Sequence, residues 1–77
     1  MEQRRLRPLS ELENGEEAVL HLINAGRGLK SRLAVMGITR GVKIKVINNS
    51  HPGPFVVSVK ESRIILGRGM ADKILVI

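Results

Sequence analysis

Between Val42 and Ile47 the chain alternates strictly, with Val42, Ile44 and Val46 on one side and Lys43 and Lys45 on the other. That period of two predicts a strand with one buried face. Phe55-Val56-Val57-Ser58-Val59-Lys60 repeats the pattern, placing Phe55, Val57 and Val59 inward. A tight connection through Glu61-Ser62 then returns the chain into a strand over Arg63-Ile64-Ile65-Leu66. Gly67-Arg68-Gly69 ends that strand, Met70-Ala71-Asp72 makes one helical turn, and Lys73 to Ile77 forms a last strand. Upstream, Glu16 to Ile23 alternates with Ala18, Leu20 and Leu22 on one face and Val19, His21 and Ile23 on the other. Both faces are largely apolar, so each is expected to be partly covered.

The period changes once. Leu29, Leu33 and Met36 fall at helical spacing, with Lys30, Ser31 and Ala34 mostly on the opposite side, which predicts a short amphipathic helix over about residues 28–36. Gly37 follows where a helix end wants a residue at positive φ. With Gly37 as C′, Ile38 is C″ and should touch Leu33 as in a Schellman cap. Thr39-Arg40-Gly41 turns the chain into the Val42 strand.

The remaining pieces are short. Met1 to Arg7 is charged and expected to be flexible, and Pro8 to Leu12 reads as one turn of helix or 3₁₀. Ser10 is its candidate cap, Leu9 and Leu12 its anchors to the core, and Asn14-Gly15 its end. Asn48 to Pro54 is a loop dense in turn residues, with His51 expected in solvent. Short strands separated this closely by turn signals imply one mainly β domain, a small closed or nearly closed barrel. Closure removes the exposed edges of so small a sheet.

The 77 residues limit the core, since a chain of this size buries only roughly 60% of its unfolded surface. There is no cysteine, so neither a disulfide nor a thiolate metal site is available. No apolar run approaches the ~20 residues of a membrane span, and the first residues do not resemble a signal peptide, so a soluble, unexported protein is expected. The charge is more telling. The net value is +6, yet five of the seven acids lie in the first seventeen positions, and none lies between Ala18 and Lys60. Arg27, Lys30, Arg32, Arg40, Lys43, Lys45 and Lys60 all fall in that interval. Such a surface attracts a negative partner, or simply keeps the protein soluble. Phe55 is the only aromatic residue, so the stacking platform of single-strand nucleic-acid binders is missing.

Candidate chemistry is sparse. Gly26-Arg27-Gly28-Leu29-Lys30-Ser31 has the residues of a phosphate loop without its spacing, because Leu29 separates the glycine from the lysine. His21 is better explained as an ordinary strand residue than by metal or pH chemistry, and the serines sit in no nucleophile motif. No enzyme and no cofactor are expected.

The ordered residues resemble a known family. Leu9-x-x-Leu12-x-x-Gly15, Arg32-Leu33-x-x-Met36-Gly37-Ile38-x-x-Gly41, Gly53-Pro54-Phe55-Val56-Val57, Ile65-Leu66 and Ala71-x-x-Ile74-x-Val76 look like the FeoA family, small accessory proteins of bacterial ferrous iron uptake. The Arg32 to Gly41 block is the most specific part. The resemblance implies a single SH3-like barrel of about five strands over residues 1–77, and a cytoplasmic role beside the FeoB transporter, whose cytosolic part binds GTP. Similar domains end iron-dependent repressors of the DtxR type. At Glu61-Ser62 the family often has glycine, which makes the hairpin geometry a point to check. Arg32, beside the core face, is expected to bond loop carbonyls.

The leading reading is therefore a module that docks on FeoB and modulates it. Arg27, Lys30, Arg32, Met36, Arg40, Lys43 and Lys45 are its candidate partner-binding residues. A basic nucleic-acid-binding barrel is the first alternative. A self-assembling module, with Met36, Val56 or Leu75 in the contact, is the second.

Overall fold

The computed structural model describes residues 5–50 and 52–77. The calls on Met1 to Arg4 and on His51 lie outside these residues. The elements in chain order are β1 (Arg7–Pro8), a 3₁₀ turn (Leu9–Glu11), β2 (Glu17–Ile23), α1 (Arg27–Val35), β3 (Lys43–Asn49), β4 (Phe55–Val59), β5 (Ser62–Leu66), α2 (Arg68–Lys73) and β6 (Ile74–Val76). All strand pairs are antiparallel, in the order β1-β6-β2-β3-β4-β5.

The sheet wraps around its core but is not closed: β1 and β5 are its edges. Six strands form rather than about five, the additional one being the two-residue β1, which pairs Arg7 with Val76 and Pro8 with Leu75. A proline is tolerated there because an edge strand has no need of its missing N–H on the outer side.

β2 is bent where it changes partners. Glu17 to Val19 pair with β3, whereas Leu20 to Ile23 pair with β6, and the register shifts between Leu20 and Leu22. A bulge of this kind bends a strand and re-aims the side chains beyond it. Ala18 and Leu20 point inward from one face, but Leu22, which alternation puts on that same face, is turned out at 39% exposure, and Ile23 from the other face enters the core. A second shift, between Val46 and Asn48, bends β3 against β4.

The inward positions of β3 and β4 are as the alternation requires: Ile44, Val46, Phe55, Val57 and Val59 are buried. Leu9 and Leu12 anchor the 3₁₀ turn in the same core, although Ser10 does not cap it and instead bonds Asp72 of α2. α1 contributes Leu33 as its one buried residue, with Leu29 partly buried beside it and Met36 largely out. Its end is a Schellman cap. Ile38 N–H bonds Leu33 O at 2.9 Å, Gly37 N–H bonds Ala34 O at 2.9 Å, and Gly37 has φ +85°.

The β4–β5 hairpin turns through Lys60-Glu61, one residue earlier than the expected Glu61-Ser62, since Val59 pairs with Ser62. Lys60 and Glu61 have φ of +50° and +71°. Two successive positive φ values are those of a type I′ turn, the connection whose twist suits a two-residue hairpin.

Candidate functional site

The seven candidate residues are all exposed, and the fold sorts them into two groups. Arg27, Lys30 and Arg32 come from α1, with Met36 at its C-cap and Arg40 in the loop beyond. Lys43 and Lys45 come from β3.

Cations at the start of α1 are placed against the local electrostatics. A helix N-terminus carries partial positive charge and favours acids by ~0.3–1 kcal/mol each. The first turn of α1 contains no acid and begins with Arg27, and Gly26 offers no capping side chain. Helix stability therefore does not explain these residues. Lys30 and Arg40 flank an open depression of about 390 Å³ whose apolar wall includes Leu22 and Ala34. None of the described acids lines it.

The β3 group lies on the outer face of the sheet. Register places Lys45 beside Glu17 of β2 on one side and Ser58 of β4 on the other, and Ser58 beside Arg63 of β5. One row thus runs Glu17, Lys45, Ser58, Arg63 across four strands. An open depression of about 480 Å³ on this face takes in Lys43, Lys45 and Lys60 together with Glu17 and Glu61. The cations of β3 are therefore bordered by acids in space, whereas none of the described acids lines the depression beside Lys30 and Arg40.

Arg32 does not bond loop carbonyls: among the described residues its side chain makes no hydrogen bond. Arg68 does so instead, donating to Asn49 Oδ1 at 2.6 Å, Ser50 O at 2.8 Å and Gly53 O at 3.2 Å, with its guanidinium 5.8 Å from the centre of the Phe55 ring. In sequence, Arg68 between two glycines reads only as a strand breaker. Arg63 alternates with the half-buried Ile64 along β5, and register sets it in the row of Lys45.

The carboxyl of Glu16 is held below the usual carboxylate range by the Glu13 amide, 2.9 Å away, and then by Arg7 at 2.5 Å. Arg7–Glu16 is the one ion pair among the described residues, so none of the six candidate cations is engaged in one. Among those residues no three His, Cys, Asp or Glu side chains converge as a metal site, and no helix is long and apolar enough to cross a membrane.

The comparisons with known proteins converge. A family model described as FeoA domain matches residues 7–77. A protein of Methanocaldococcus jannaschii named "Putative Fe(2+) transport protein A" is 48% identical over 69 residues, covering 90% of this chain and 83% of the relative. Among solved structures, a crystal structure of iron uptake regulatory protein (FeoA) superposes with TM-score 0.86 at 32% identity, covering 94% of this chain and 96% of that one. A manganese-dependent transcriptional repressor gives TM-score 0.86 at 20% identity, covering 99% of this chain but 43% of its own, a likeness of fold alone. The architecture is thus that of the small SH3-like FeoA domain, with its sheet open.

Proposed function

The chain belongs to the FeoA domain family, and from that premise we propose that it is a non-enzymatic, cytoplasmic accessory of ferrous iron transport that docks on the cytosolic part of the FeoB transporter and modulates it. The observation that carries the docking step is the set of uncommitted cations. Arg27, Lys30, Arg32, Arg40, Lys43 and Lys45 are all exposed and none takes part in an ion pair among the described residues. Charge left unpaired on a small surface steers association toward an acidic partner and sets its salt dependence.

The test is binding to the purified cytosolic domain of FeoB, measured at low and moderate salt. Reversing Lys43 and Lys45 to glutamate, and separately Lys30 and Arg40, should weaken binding mainly through the association rate. If neither pair of reversals alters affinity at low salt, docking through these faces is excluded. A purified transporter domain that does not bind at all removes the reading itself.

A further inference from the structure

β5 is an edge of the sheet, and its outer side is unusually well prepared for another strand. In a two-residue hairpin the pair that closes the turn, here Val59 and Ser62, exchanges both of its backbone hydrogen bonds. Alternation along an antiparallel ladder then makes Val57–Ile64 and Phe55–Leu66 the next bonded pairs. Arg63 and Ile65 therefore aim their N–H and C=O groups away from β4. Among the described residues no backbone hydrogen bond meets them.

Natural sheets protect such an edge by bulges, prolines or cover. β5 has no bulge against β4 and no proline. Its one charged residue is Arg63, and Ile65 is 71% exposed, the second most exposed large apolar side chain described after Val35. Arg63 and Ile65 share the outer face, being two apart on a strand. Arg63 ends the row that contains Lys45, and Ile65 ends a neighbouring row next to the partly buried Val56.

We propose that the open edge of β5 receives an extended, acidic segment of a partner protein by strand addition. The two rows specify its pattern. A residue entering beside Arg63 meets that guanidinium directly, with Lys45 further along the same row beyond the neutral Ser58, so a carboxylate belongs there. The residue two positions along enters beside Ile65 and is aliphatic. Backbone bonds to Arg63 and Ile65 supply the attachment and the alternate side chains supply the choice, the usual division in strand addition. A second copy of this chain fits less well, because each molecule carries a net charge of +6 and brings Arg63 to the same edge. That the segment lies on the transporter rests on the function proposed above, whereas the chemistry of the edge does not.

The probe is a blocked seven-residue peptide alternating glutamate and valine, titrated into the isotopically labelled protein, with a lysine–valine peptide as control. Saturable shifts on β5, with Arg63 and Ile65 amides newly protected from exchange, are the result expected. Ile65→Pro, which deletes an outward donor at an edge position where proline is tolerated, should weaken binding about tenfold, a change of one decade in Kd. Arg63→Glu leaves the backbone intact and should weaken it to a similar extent, so the test survives if the proline variant folds poorly. Shifts centred on α1, equal binding of the lysine–valine peptide, or no saturation by about 1 mM, the weak end of measurable affinity, would each overturn the proposal. So would β5 shifts that follow protein concentration without peptide, since they identify a second copy. Finally, if the FeoB cytosolic domain binds wild type and Arg63→Glu equally, docking stands and the transporter is excluded as the source of the added strand. If the peptide binds and that domain does not, the edge stands and the partner is another acidic protein.

Discussion

Arg68 and Asn49 are joined by a 2.6 Å hydrogen bond from the guanidinium to the amide oxygen, and the two residues together lock three segments of the chain. Asn49 spends both hydrogens of its side-chain amide on the carbonyls of Ser10 at 2.9 Å and Leu12 at 2.7 Å, while its own backbone N–H reaches Asn14 Oδ1 at 2.6 Å. Arg68 holds Ser50 and Gly53 from the other side. The N-terminal turn, the β3–β4 loop and the start of α2 thus share one polar junction.

Replacing Arg68 by alanine removes three charge-assisted bonds and the contact with Phe55, and should destabilise the protein by about 2–3 kcal/mol. Arg68→Lys should recover only part of this, because an ammonium cannot present the planar fork that reaches three acceptors. Urea midpoints at unchanged m-value measure both.

Asn49→Asp retains the acceptor for Arg68 but loses both donors, and sets a carboxylate against the carbonyls of Ser10 and Leu12. A loss of about 1–2 kcal/mol at neutral pH is expected despite the stronger pairing with Arg68. Protection of the Leu12 amide in hydrogen exchange should fall in step with it.

At the β4–β5 turn the direction reverses. Lys60 and Glu61 hold positive φ with full side chains, a conformation that costs a residue with a Cβ roughly 1 kcal/mol or more. Glu61→Gly should therefore stabilise the fold by about 0.5–1 kcal/mol, the relief of strain offset by greater freedom in the unfolded chain. A higher thermal midpoint with unchanged hairpin register is the sign to look for.

Gly37→Ala tests the opposite case. A Cβ at this position meets no atom within 4 Å, so any loss is conformational rather than steric. At φ +85° it should amount to about 1 kcal/mol, seen as earlier unfolding.

The Glu16 carboxyl gives a pH dependence with a definite sign. Its folded-state pKa is lowered by the Glu13 amide and by Arg7. Its contribution is therefore complete above the ordinary glutamate value of about 4.3 and is lost as pH falls through the lower folded value. Glu16→Gln should flatten the acid limb of the stability curve below that value and leave its slope near neutrality unaltered.

Much of this architecture was legible in the sequence because period and turn chemistry agreed. Ile44 and Val46, Phe55, Val57 and Val59, and the Leu33–Gly37–Ile38 cap needed nothing beyond local pattern. That Leu22 leaves the face of Ala18 and Leu20 is not legible, because a bulge has no signature in alternation: the shift at β2 accompanies its change of partner, from β3 to β6, which is a tertiary event. For the same reason carbonyl bonding fell to Arg32 in the sequence reading rather than Arg68, whose three acceptors lie 15 to 19 residues away. Of the candidate site, alternation gave Lys43 and Lys45 their outward aim. Only register could show that Glu17 flanks them and that Arg63 continues their row.

The pairing of β1 with β6 also orders events in time. Hairpins β3–β4 and β4–β5 join residues close in sequence, but Arg7 meets Val76 across nearly the whole chain. The entropy of that closure must be met before the contact returns anything, which slows folding. Leu9 and Leu12, on the turn that follows β1, pack where α2 and β6 meet it, so this corner of the core depends on the longest-range closure in the fold.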